Sequence, residues 1–205
     1  MRWSALILPA ISIALSGCER SADPNANANT GAEANLSAPA AASAPAHAAN
    51  GRQYVELAGG TALYAAEVAR LALEKSQSAG VRALAEAILA NHDRAMAQLS
   101  EAAAQAQPPI AFAPELNAAQ QASLAQLRGA NGEAFDRLWI EQQVETYQQA
   151  MNLTTDFAAN GDAPSLRNHA ATAAGPLLVQ LSQARTLAEG AVARDADNAA
   201  APAGE

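Results

Sequence analysis

Apolar residues recur along this chain at spacings of three and four, the rhythm of helices that bury one face. Four long segments carry it. The first runs from about Gln53 to Ser76, with Leu57, Tyr64, Val68 and Leu71 on one stripe. The second runs from about Ala79 to Ala106, its stripe passing through Val81, Leu84, Ala85, Ile88, His92, Ala95 and Leu99. The third spans Glu133 to Ala159, with Ile140, Val144, Tyr147 and Met151 aligned, and stops at Asn160-Gly161. The fourth runs from about Ala163 to Val192, with Asp162 as its expected cap and Leu166, Ala170, Ala173, Leu177, Leu181, Ala184 and Ala188 inward. Pro176 lies inside it, cannot donate to the Thr172 carbonyl, and is expected to kink the helix. Between the second and third segments, Pro108-Pro109 and Pro114 enforce a loop. A short helix then follows from Asn117 to Arg128, where Asn117 and Gln120 have capping-box spacing and Gly129 is a stop. No stretch alternates apolar and polar residues as a strand would. Four long amphipathic helices and one short one predict an all-α four-helix bundle over residues 51–193.

Composition changes this picture in two ways. The chain has 205 residues and is 50% hydrophobic, but much of that fraction is alanine and only 4% is aromatic. Helix propensity is therefore high, while large side chains to fill a core are few. The formal net charge of −8 argues against nucleic acid or an anionic lipid surface as partner, since both attract basic patches. The single cysteine, Cys18, allows no intrachain disulfide.

The first eighteen residues have their own logic. Met1-Arg2-Trp3 is a short basic start, and Ala5 to Leu15 is an apolar run interrupted by Pro9 and Ser12. A span needs about twenty residues, so this run suits a signal-peptide core better than a transmembrane helix. Leu15-Ser16-Gly17-Cys18 is similar to the lipobox of bacterial lipoproteins. That resemblance implies cleavage before Cys18 and acylation of its thiol, which makes the membrane itself a partner through the lipid anchor. Glu19, where an aspartate would imply retention at the inner membrane, points to the periplasmic face of the outer membrane. From Glu19 to Asn50 the chain is mostly Ala, Asn, Pro and Ser, a composition that cannot bury enough surface to order itself. We expect a tether there with a reach of about 30 Å, and His47 within it solvated. A disordered tail is expected over residues 194–205.

With the helices placed, several stretches acquire meaning together. These are Tyr54-Val55 through Ala58-Gly59-Gly60 and Glu67-Val68, then Leu73-Glu74-Lys75-Ser76 with Val81-Arg82. Asn91-His92-Asp93, Phe135-Asp136-Arg137 with Trp139, and Pro176-Leu177-Leu178 with Gln183-Ala184 follow. In this order over residues 53–188 they resemble the domain-of-unknown-function 4142 family, ferritin-like helical proteins exported by bacteria. The resemblance implies a ferritin-like bundle whose centre can present metal donors: a Glu on the first helix and a His on each of the other three. Here Glu67 and His92 stand at two of those places, while Tyr147 and Leu181 stand where the other two histidines would be. Glu145 and His169 lie near the stripes but off those positions.

Two of four donors are replaced, and no Glu-x-x-His occurs. The expected centre is therefore a hydrogen-bonded cluster of Glu67, His92 and Tyr147, with at most weak ligation of one zinc or copper ion by Glu67 and His92. The alternative role of Glu67 is to pair with an arginine. No nucleophile stands beside a base, and Gly59-Gly60 lacks the Gly-Lys-Ser/Thr ending of a phosphate loop. The expectation is a non-enzymatic envelope module without a cofactor, serving structure, stress tolerance or contact with a protein partner there. The competing expectation is a metal-storage or oxidase bundle. The sequence fixes no oligomeric state.

Overall fold

A computed structural model of the chain describes residues 50–200, with side chains through residue 193. The leader at 1–18 with Cys18, the tether from 19 to 49 and the last five residues of the expected tail lie outside the described residues. Five helices follow one another: α1 (Gly51–Lys75), α2 (Ala79–Ala104), α3 (Ala118–Gly129), α4 (Gly132–Asn160) and α5 (Pro164–Ala200). The described residues contain no strand, so the all-α reading holds. None of these helices is long and apolar enough to cross a membrane.

Most helix starts are set by local capping chemistry. The Asn50 side chain accepts from Gln53 N–H at 2.9 Å at the start of α1, and Ser78 accepts from Val81 N–H at 3.4 Å at the start of α2. At α3 the capping box forms in both directions, Gln120 N–H to Asn117 Oδ1 and Asn117 N–H to Gln120 Oε1, each at 2.9 Å. Gly132 opens α4 at φ +57°, a left-handed conformation that glycine adopts without a Cβ penalty.

Two ends depart from expectation. Asp162 does not cap α5, because the helix begins at Pro164 and places Ala163, not Asp162, in the capping position. The Asp162 carboxylate instead accepts from Gly51 N–H at 2.8 Å and ties the start of α1 to the α4–α5 turn. The last helix continues past Val192 to Ala200. Alanine is the strongest helix former, and the expected tail begins as the end of this helix.

The long helices form a closed ring of neighbours. α1 packs most extensively on α2 and α4 on α5, while α1–α4 and α2–α5 contacts complete the ring and α3 lies against α1 and α4. The Trp139 indole N–H donates to Val68 O at 2.9 Å, pinning α4 to α1 in the interior. Lys75 draws the end of α3 to α1 by donating to Arg128 O at 2.7 Å and Ala130 O at 2.6 Å. The buried apolar residues fall into two clusters. One contains Val68, Ile88, Trp139, Tyr147 and Leu181, and the other contains Tyr54, Leu99, Leu153, Phe157 and Leu166.

Candidate functional site

Between the two clusters the interior opens into a cavity of about 320 Å³. Its floor comes from buried residues of α1 and α4, among them Tyr54, Ala65, Tyr147 and Leu153. Its mouth lies between α2 and α5, where Arg94, Ala95, Gln98, Thr172 and Pro176 are exposed. The cause is visible along the stripes. On α2 the inward residues are buried at Ile88 and again at Leu99, but not at His92 and Ala95 between them. On α5 they are buried at Ala170 and Leu181, while Ala173 and Leu177 between them are half-exposed. Small side chains on two facing helices leave space that no neighbour fills. α5 carries on through Pro176 at this level, and Pro176 has no N–H for the Thr172 carbonyl.

The cavity carries neutral polar groups. Tyr54 Oη and His169 Nδ1 are 3.0 Å apart, and the Tyr54 ring stacks on Phe157 with centroids 4.2 Å apart. Burial pushes the His169 imidazole below the usual histidine range and the Tyr54 phenol above the usual tyrosine range. Both groups are therefore uncharged at neutral pH. The Tyr147 ring lines the same space; its hydroxyl is buried without a hydrogen-bond partner, and burial raises its pKa too. No aspartate or glutamate lines this wall.

The expected Glu67–His92–Tyr147 cluster does not form. Glu67 donates nothing to the centre; its carboxylate accepts from Arg70 Nη1 at 2.8 Å on the outside of α1. The reason is helical register. Ala65 and Ala69 occupy the inward stripe, and a residue two positions from each points about 160° away from it at 3.6 residues per turn. His92 and Tyr147 do share the cavity, and the structure joins His169 and Tyr54 to them. Leu181, like Tyr147, is buried. Among the described residues no three His, Cys, Asp or Glu side chains converge as a metal-binding group. A two-metal centre needs bridging carboxylates, so this wall does not fit one; two imidazoles on one cavity fit a single softer ion better.

His169 was within reach of the sequence, standing three residues after Leu166 and four before Ala173. Tyr54 was not, because its partner is 115 residues away. A second cavity of about 210 Å³ lies among α1, α3 and α4, where Tyr64 Oη donates to Gln142 Oε1 at 2.6 Å. Burial pushes the Tyr64 pKa up to about 12.

The fold has solved counterparts. The chain is similar to CopM in its Cu(II)-bound form, with TM-score 0.57 and 17% identity over 69% of this chain and 97% of that one. It is similar to CopM in its Cu(I)-bound form, with TM-score 0.56 and 18% identity over 69% and 96%. It also resembles the silver-bound form, with TM-score 0.54 and 19% identity over the same shares. At such identities the likeness is one of fold. No curated protein matches the sequence. Residues 36–187 match the family described as domain of unknown function DUF4142, and since the match takes in most of the chain, the protein belongs to that family.

Proposed function

We propose that this chain is a lipoprotein, anchored through Cys18 at the periplasmic face of the outer membrane. Its ferritin-like four-helix bundle acts there without catalysis, by binding a ligand or an envelope protein. The observation that carries this reading is the central cavity. It is open and largely apolar, its buried polar groups are neutral, its one permanent charge is Arg94 at the mouth, and no carboxylate lines it beside its imidazoles. That chemistry suits holding a molecule better than activating water or dioxygen, for which the wall offers no carboxylate base or bridging ligand. Anchoring is tested by labelling cells with a radioactive fatty acid: label should enter the chain and be lost in Cys18→Ala. The non-enzymatic reading fails if the purified protein holds two equivalents of iron or manganese, consumes dioxygen, and loses both properties in His92→Ala.

A second reading is a single-ion copper site. It is favoured by His92 and His169 lining one cavity, with His169 Nδ1 engaged by Tyr54 and its Nε2 left to face a ligand. The CopM structures share the fold in copper-bound and silver-bound forms. Titration with Cu(I) and Cu(II) decides it: one equivalent bound by the parent and lost in both His92→Ala and His169→Ala favours copper.

A further inference from the structure

The protein as a whole is acidic, with net charge −8, yet its main cavity has the opposite bias. Of the charged side chains on its wall, Arg94 is a permanent cation and no carboxylate faces it. Arg94 donates to Asn91 Oδ1 at 2.5 Å. Among the described residues, no carboxylate forms an ion pair with it. His92 lies at the same mouth, and His169 is held neutral deeper in. Behind this rim the wall is mostly aliphatic, with Ala58, Ala62, Ile88, Leu99 and Leu153 around the neutral side chains of Tyr54, Tyr147 and His169.

The geometry points to a short aliphatic monocarboxylate as the ligand, its carboxylate held at the mouth by Arg94 and its hydrocarbon body lying between the two core clusters. This deepens the reading of the cavity as a binding site and rests on it. The volume, about 320 Å³, lies at the small end of the roughly 300–1,000 Å³ typical of ligand pockets. A medium-length alkyl chain suits that space, and a phospholipid with two acyl chains does not. An arginine fork grips a carboxylate bidentately. An ammonium would be repelled there, and an alcohol would offer Arg94 one neutral acceptor and no charge to pair with.

The test is calorimetric titration of the full chain carrying Cys18→Ala, which removes its own acyl groups as competitors, at pH 7. The probes are octanoate, octanol and octylamine. Octanoate should bind saturably, one per chain, at least tenfold tighter than octanol, and octylamine should be weakest. Arg94→Gln alters an exposed side chain and leaves the packing intact; it should weaken octanoate about tenfold and leave octanol unchanged. If the three probes bind equally, or Arg94→Gln changes nothing, the carboxylate assignment is overturned while a binding cavity survives. If none binds to chain whose circular dichroism is helical, the cavity is not a site for such molecules and the proposal falls, while the envelope-protein reading stands on its own test.

Discussion

Tyr54 and His169 meet across the molecule, and their burial makes the pair pH-sensitive. Burial lowers the imidazole pKa because charging it would strip water from a cation. The unfolded chain, near the ordinary value of about 6.5, then binds the proton more readily than the fold does. The contribution to stability is complete above that value and is lost as pH falls below it. Urea midpoints measured from pH 8 to pH 5 should fall with acid in the parent. In His169→Gln, which keeps a partner for Tyr54 but does not titrate there, the fall should be shallower. An equal fall in both would assign the acid sensitivity elsewhere. Gln143 makes a different case. It is fully buried on α4 one turn from both Trp139 and Tyr147, and neither of its amide atoms has a hydrogen-bond partner. Replacing such an amide with a methyl-bearing side chain of similar size removes its desolvation cost. Gln143→Leu should raise unfolding stability by about 1–2 kcal/mol, with an unchanged denaturant slope.

At the scale of elements, what was legible in the sequence is what local chemistry decides. The periodic stripes placed all four long helices, and Asn117 with Gln120 placed the start of α3. Of the misplaced features, one depends on a distant partner and the other on a local propensity hidden by a tail-like composition. Nothing near Asp162 says that its carboxylate serves Gly51 N–H, far away in sequence, and the helix beyond Val192 rests on alanine propensity in a stretch that looks like a tail. Gly59-Gly60 shows the same divide. In sequence the pair is only not a phosphate loop. In the structure it is where the 105–117 connection presses onto α1. A Cβ on Gly59 would stand 3.2 Å from Phe112 and Pro114 side-chain atoms, and one on Gly60 would stand 2.7 Å from the Glu115 carbonyl oxygen. A backbone atom cannot swing aside, so Gly60→Ala must displace the loop. Thermal denaturation should show a loss of about 1–3 kcal/mol, the usual cost of overpacking. This cost should outweigh the gain in helix propensity of about 1 kcal/mol. An increase in stability would mean that the loop leaves α1 in solution.

On the scale of the whole molecule, the alanine-rich composition and the cavity are one fact seen twice. Few large side chains means that two clusters can be packed, around Trp139 and around Phe157, and that the middle level, where α2 and α5 offer His92, Ala95 and Ala173, stays open. The sequence showed the shortage of large residues but not where the shortfall would gather, because that depends on which levels of four helices come opposite one another. It likewise grouped His92 with Tyr147 but gave them Glu67 in place of His169 and Tyr54, since register around α1 is decided by the whole inward stripe. If the opening is a true packing deficit, filling it should stabilise the fold and abolish binding together. Ala173→Leu keeps high helix propensity and extends a branched side chain into the space from α5. Buried methyl groups that enter an existing cavity gain both transfer and contact energy, so unfolding stability should rise by about 1 kcal/mol, and octanoate should no longer bind. A protein kept marginally looser than it need be, at a place where a ligand would sit, is the trade expected of a working site. If Ala173→Leu instead lowered stability, the helices would already close on one another there, and the space between the two clusters would be too small to hold a ligand.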